Sequence, residues 1–173
     1  MKTTLEDLKN RRSCRSYKPE QITDAELDAV LEAGTFAPTA KGSQCPIIIA
    51  VQNPDLVKKL SQMNAAVMGS DSDPFYGAPT VLVVLADRSM ANRVYDGSCV
   101  MTNLMNAAQA LGLGSCWIHR AREVFDSDEG KALLKEWGVE GDYEGIGNCI
   151  LGYKAQEDPA PKPRKENYII KIK

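Results

Sequence analysis

Two groups of basic residues in an otherwise acidic chain are the first candidates for chemistry. Lys9, Arg11, Arg12, Arg15 and Lys18 stand within ten residues that hold no acid, although the 173-residue chain has a net charge of −2. Arginine forks match phosphate oxygens two at a time, and Ser13 adds a hydroxyl donor. The plainer reading is a solvated basic face. Lys162, Arg164 and Lys165 form a second group near the C-terminus, and the two could converge on one phosphate. A third candidate is the run Ala37-Pro38-Thr39-Ala40-Lys41-Gly42-Ser43-Gln44. It could offer backbone groups and the Gln44 amide to a flat heterocycle, or it could be an ordinary connection from helix to strand.

Other chemistries lose ground quickly. His119 is the only histidine, so a Ser-His-Asp triad or a multi-histidine metal site would have to be built on one ring. It follows a strand-like run and reads as a rim residue. Cys14, Cys45, Cys99, Cys116 and Cys149 are scattered, with no C-x-x-C; this argues against a zinc or redox motif and fits a reducing, cytoplasmic setting. Cys45 and Cys116 read as packing residues. Gly112-Leu113-Gly114 follows a helix and precedes a strand, the wrong order for a dinucleotide fingerprint. The charge balance argues against nucleic acid. No apolar run approaches the ~20 residues that span a bilayer, so no membrane is expected. The polar N-terminus does not read as a signal peptide.

These residues need elements to hold them. A short helix over 4–10 leads into the basic cluster. Thr23 and Glu26 form a capping box for a helix that Gly34 suits as a terminator. Pro46–Val51 reads as a short buried strand. Asn53 caps a helix with Pro54 at its first position, running to about Met68. Thr80–Ala86 is a second buried strand. The run from about Tyr95 to Leu111 is a nearly uncharged helix, expected to be covered on most sides. Strands follow at Leu113–Ile118 and Gly145–Tyr153, with an amphipathic helix between them over Ser127–Trp137. A proline-rich arm then ends in the strand-like Tyr168–Ile172, which needs a sheet edge, its own or a partner's.

Five motifs occur in an order that resembles the FMN-dependent nitroreductase family. They are R-R-S-C-R-S-Y near the N-terminus, A-P-T-A-K-G-S-Q after the first long helix, F-Y-G-A-P before the second strand, L-G-L-G-S-C-W-I after the central helix, and K-P-R in the arm. The chain resembles a compact bacterial or archaeal member. The resemblance implies an α+β fold with a mainly antiparallel central sheet flanked by helices. It implies a homodimer with FMN at the subunit interface and an exchanged C-terminal strand. Residues 1–154 would form the flavin-binding domain, and 155–173 an extended arm packing on the partner.

Carried over residue by residue, Arg11, Arg12, Ser13 and Arg15 match the segment that holds the FMN phosphate and pyrimidine side. Pro38, Thr39, Ala40 and Lys41 match the loop that lines the isoalloxazine, often from the other subunit, and Gln44 its amide. Asn64 matches an asparagine that reaches the flavin, Trp117 and Ile118 fall beside the flavin-facing segment, and Lys162 and Arg164 match C-terminal phosphate contacts. Gly42 and Cys45-Pro46 depart from the family's usual Asn and Pro-Trp. The implied activity is hydride passage from NAD(P)H through FMN to a small-molecule acceptor such as a nitroaromatic or quinone, with no side-chain nucleophile. Enone reduction, dehalogenation and non-catalytic FMN binding are the alternatives; a phosphopeptide- or anion-binding module is a rival of another class.

Overall fold

The computed structural model describes residues 4–173; the first three residues, where the expected 1–154 unit begins, lie outside the described residues. Helix α1 (Thr4–Asn10) ends at the basic cluster. Helix α2 (Asp24–Thr35) carries the expected capping box: the Thr23 hydroxyl accepts from Glu26 N–H, and the Glu26 carboxylate accepts from Thr23 N–H at 2.9 Å. Strand β1 (Pro46–Val51) and helix α3 (Pro54–Met68) follow. Asn53 caps α3, Pro54 opens it, and Gly69 closes it in the left-handed region at φ 67°; a residue without Cβ adopts that conformation freely. Strand β2 (Thr80–Asp87), helix α4 (Arg93–Ala110) and strand β3 (Gly114–Ile118) come next. Two helices, α5 (Ala121–Asp126) and α6 (Asp128–Glu136), lead to strand β4 (Tyr143–Gly152).

The four strands form one antiparallel sheet in the order β1-β2-β4-β3. Strands β2 and β4 are central and almost wholly buried. One sheet face carries Val81, Val83, Leu85 and Ile150 against α3, α5 and α6. The other carries Leu82, Val84, Cys149 and Leu151 against α2 and α4. Between Val84 and Leu85 the β2–β4 register slips, leaving Ile146 as an extra residue in β4. Ile146 packs against α4 where Gly97 has no side chain: a Cβ there would stand 2.6 Å from Ile146 Cγ1.

Two expectations need correction. Gly34 does not end α2, which runs on to Thr35. It is where α2 packs most closely, since a Cβ would lie 2.7 Å from Leu104 and 2.8 Å from Ile48. Strand β1 is half-buried rather than buried, because it is an edge strand. Helix α4 is covered on most sides, as expected: within it only Val94, Tyr95, Thr102 and Ala110 are exposed, and it packs against the sheet, α1 and α2. The strand-like run Tyr168–Ile172, expected to need its own or a partner's sheet edge, pairs with no other segment among the described residues, and Tyr168, Ile169, Ile170 and Ile172 are 70–91% exposed.

The two sheet edges differ. At β3, Ser13 forms a parallel bridge with Ser115, and Cys14 N–H donates to Ser115 C=O at 2.9 Å. No described segment covers the outer edge of β1. The arm beyond Lys154 starts fixed, with Ala155 N–H donating to Ser16 C=O at 3.0 Å and Lys154 paired with Asp158. After that it is extended and exposed.

Candidate active site

The candidate residues gather at two places. The first is the β3 edge. Arg11, Arg12, Ser13 and Arg15 follow α1, and the Ser13–Ser115 bridge holds them beside β3. This close approach uses Gly114, where a Cβ would stand 2.7 Å from Cys14 Sγ. Trp117 and Ile118 end the same strand. Asn64 joins the group from α3: it is fully buried, and its side-chain amide donates to His119 C=O at 2.7 Å. That bond fixes the turn after β3, where Arg120 takes a left-handed conformation at φ 75°.

The polar atoms of this group are not all satisfied by the described residues. Arg12 Nη1 donates to Lys9 C=O at 2.8 Å and Arg11 C=O at 2.6 Å. Among the described residues, however, Arg12 Nε and Arg11 Nη1 are buried with no acceptor, and Asn64 Oδ1 is buried with no donor. Buried polar atoms are normally paired, and an unpaired guanidinium donor is costly. The segment therefore has donors to spare for an anion. Arg15 is exposed, and its guanidinium stands 5.9 Å from the centroid of the Tyr76 ring.

The second place is the run from Pro38 to Gln44, which enters β1. Ala40–Gly42 make a single 3-10 turn, and Lys41, Gly42 and Gln44 all have positive φ (56°, 65° and 50°). Gln44 N–H donates to Thr39 Oγ1 at 3.0 Å. Asp96, in the first turn of α4, accepts from Ala40 N–H at 3.0 Å. A cavity of about 440 Å³ beside this loop is lined by Thr39, Gln44, Pro46, Ile47, Ile48 and Val100, among others. A larger cavity of about 820 Å³, between α3 and residues 70–79, contains none of the predicted site residues.

The two places lie at opposite edges of the sheet, since β1 and β3 are its outer strands. At about 4.8 Å between neighbouring strands, one chain holds them roughly 14 Å or more apart. Lys162 and Arg164 stand apart from both: they are exposed, and Arg164 bonds only to Lys162 C=O among the described residues. Sequence reasoning missed Tyr76 and Asp96. Tyr76 lies in the F-Y-G-A-P motif, which gave no hint that it would meet Arg15. Asp96 was one acid in a nearly uncharged helix, and that contrast was the available signal.

Two of the cysteine thiols are raised. Burial pushes the Cys149 thiol up to about 12. Burial also raises Cys45, and the neighbouring Asp96 carboxylate adds to the effect. Among the described residues no group of three or more His, Cys, Asp or Glu side chains could hold a metal, and no helix is long and apolar enough to cross a membrane.

The family model described as Nitroreductase family matches residues 8–72 and 66–153. The chain belongs to the nitroreductase family. A relative from Archaeoglobus fulgidus, provisionally named NADH dehydrogenase/NAD(P)H nitroreductase, is 30% identical over 174 residues, covering 97% of this chain and 91% of the relative. A Bacillus subtilis protein named FMN reductase [NAD(P)H] is 27% identical over 139 residues, covering 70% of this chain and 56% of that protein. Among solved structures, a nitroreductase with bound FMN from Bacteroides fragilis superposes with a TM-score of 0.91, at 30% identity and with all of both chains covered. The α+β nitroreductase fold expected from the five motifs is the fold observed.

Proposed function

We propose that this nitroreductase-family enzyme passes reducing equivalents from NAD(P)H, through FMN held between two copies of the chain, to a small acceptor such as a nitroaromatic or a quinone. As a member of the family it is an NAD(P)H-dependent flavin oxidoreductase with FMN as its cofactor. When bound, FMN supplies the hydride chemistry, and the protein binds, orients and tunes it.

The observation that carries the reading is the separation of the two candidate segments, with unpaired donors at one of them. Arg11 Nη1 and Arg12 Nε have no acceptor among the described residues, which suits an anionic phosphate. Ser13 adds its hydroxyl there, and Arg15 places a cation nearby. Asn64 holds the His119 turn beside Trp117 and Ile118, which border the flavin. Pro38, Thr39, Ala40, Lys41 and Gln44 sit at the far edge, so in a dimer they would serve the partner's flavin.

The open β1 edge and the exposed isoleucines of residues 168–172 support an exchanged terminal strand. An unpaired edge readily accepts an added strand. In this reading residues 155–173 form an arm that crosses to the partner and brings Lys162 and Arg164 towards the phosphate, while residues 1–154 form the flavin-binding domain. Purified protein should be yellow, and acid should release FMN rather than FAD. A colourless protein that cannot be reconstituted with FMN would overturn the proposal.

A further inference from the structure

Asp96 is a buried carboxylate, 5% exposed. It is engaged by no ion pair among the described residues. Its hydrogen-bond donors all come from one short stretch. Ala40 N–H donates to Oδ1 at 3.0 Å, and Ser43 Oγ and Cys45 Sγ donate to Oδ2 at 3.5 Å each. Its position in the first turn of the 18-residue α4 suits a negative charge.

The stretch it holds has few bonds of its own: Gly42 N–H donates to Thr39 C=O at 3.0 Å, Ser43 N–H to Ala40 C=O at 3.1 Å, and Cys45 C=O accepts from Asp87 N–H at 3.3 Å. Lys41 and Gln44 are not glycine, yet both take the left-handed backbone region. Such residues persist only where their surroundings over-determine them. Thr39 Oγ1 supplies one restraint, on Gln44 N–H. The Asp96 carboxylate supplies three more, spread from Ala40 to Cys45. An acceptor-only group is what three donors require.

We infer that Asp96 is a positioning residue, whose contacts with Ala40, Ser43 and Cys45 hold the Thr39–Gln44 loop in the conformation that meets FMN. The inference rests on the reading that this loop lines the flavin. Asp96 acts at a distance from the chemistry, through the loop.

The test joins amide exchange in the FMN-free protein with FMN titration of the full-length chain. Asp96→Ala should speed exchange of the Ala40 amide at least tenfold and weaken FMN binding about tenfold, the loss of roughly one charge-assisted hydrogen bond. Asp96→Asn keeps an oxygen for Ala40 N–H, and the Ser43 hydroxyl can turn to accept. It should restore Ala40 protection and bring FMN affinity within about threefold of the parent. If Asp96→Ala does not fold, Asp96→Glu replaces it; the added methylene misplaces the acceptor, and the same losses are expected.

Gln44→Ala separates the two readings. If it weakens FMN binding while Asp96→Ala does not, the loop faces the flavin and the role given to Asp96 is wrong. If Ala40 exchange is unchanged in Asp96→Ala, the tether itself is wrong. If Asp96→Ala frees the Ala40 amide but neither variant alters FMN affinity, the loop does not line the flavin, and the inference falls with that reading.

Discussion

The Arg15 guanidinium stacks on the Tyr76 ring at 5.9 Å from its centroid, joining the N-terminal basic segment to the loop before β2. Tyr76 sits at φ 54°, a strained conformation for an aromatic residue. Asp73 steadies it from both sides by accepting from Phe75 N–H at 2.8 Å and Gly77 N–H at 2.7 Å. The cation is thus held at the rim of the candidate site by the chain itself.

Arg11→Ala or Arg15→Ala should each weaken FMN binding by roughly 10- to 100-fold, as expected for a charge-assisted contact. Tyr76→Ala should give a smaller loss, because it frees Arg15 without removing it. Flavin fluorescence titration measures all three. Unchanged affinity in both arginine variants would make the cluster an ordinary solvated face.

Turnover should follow parallel-line ping-pong kinetics with NAD(P)H and a nitroaromatic or quinone. Cys45→Ser and His119→Ala should keep substantial activity. The Cys45 thiol is raised by burial and by Asp96, which disfavours the reactive thiolate, and the His119 side chain is exposed. A loss beyond about a thousandfold in either variant, with FMN still bound, would mean that a side chain carries a chemical step.

Removing residues 155–173 should weaken dimerisation and FMN binding together. Replacing Lys162 and Arg164 by Ala should weaken only FMN binding, because Tyr168–Ile172 remain. Light scattering after size exclusion, run beside a flavin titration, separates the effects. A truncated chain that stays dimeric with full FMN affinity would leave the arm no role in either.

Tyr153 O–H donates to the Glu26 carboxylate at 2.7 Å. This bond and the Thr23 contacts hold Glu26 below its ordinary value of 4.5. A lowered carboxylate contributes stability that is present above its unfolded value and lost as pH falls through the folded one. Tyr153→Phe should therefore lower Tm near neutral pH, and the gap should close as pH drops below about 4.5. A gap of the same size at acid pH would detach the bond from the charge on Glu26.

Glycine replacements should rank by what the new Cβ meets. At Gly145 it would stand 2.2 Å from the backbone oxygen of Ala121, which has nowhere to go. At Gly34 it meets the ends of the Leu104 and Ile48 side chains, which can turn aside. Gly34→Ala should cost about 1–3 kcal/mol by overpacking, and Gly145→Ala clearly more. Chemical denaturation gives the order, and equal costs would mean the α5–β4 contact yields more easily than its geometry implies.

Where a local signal governs the chain, the sequence was legible. Thr23 with Glu26 and Asn53 with Pro54 each act within a few residues. Helix α5 escaped because Arg120, which opens it, carries no capping side chain. The half-buried state of β1 escaped because it depends on strand order, which no segment encodes alone. The motifs named the candidate residues, but they did not tell that the Pro38–Gln44 loop would stand across the sheet from Arg11, since that separation is a property of topology.

Gly97 follows Asp96 directly, and Ile146 of the β4 bulge fills the space its missing side chain leaves. The depth at which α4 rests on the sheet therefore fixes the height of the Asp96 carboxylate. The Ala40–Cys45 loop takes its level from the middle of β4, as a gauge reads from a datum. An enlarged side chain at 146, or a methyl group at 97, would reset that level without touching a loop residue. Tolerance at these two interior positions should track the geometry of a surface loop more closely than the quality of the core around them.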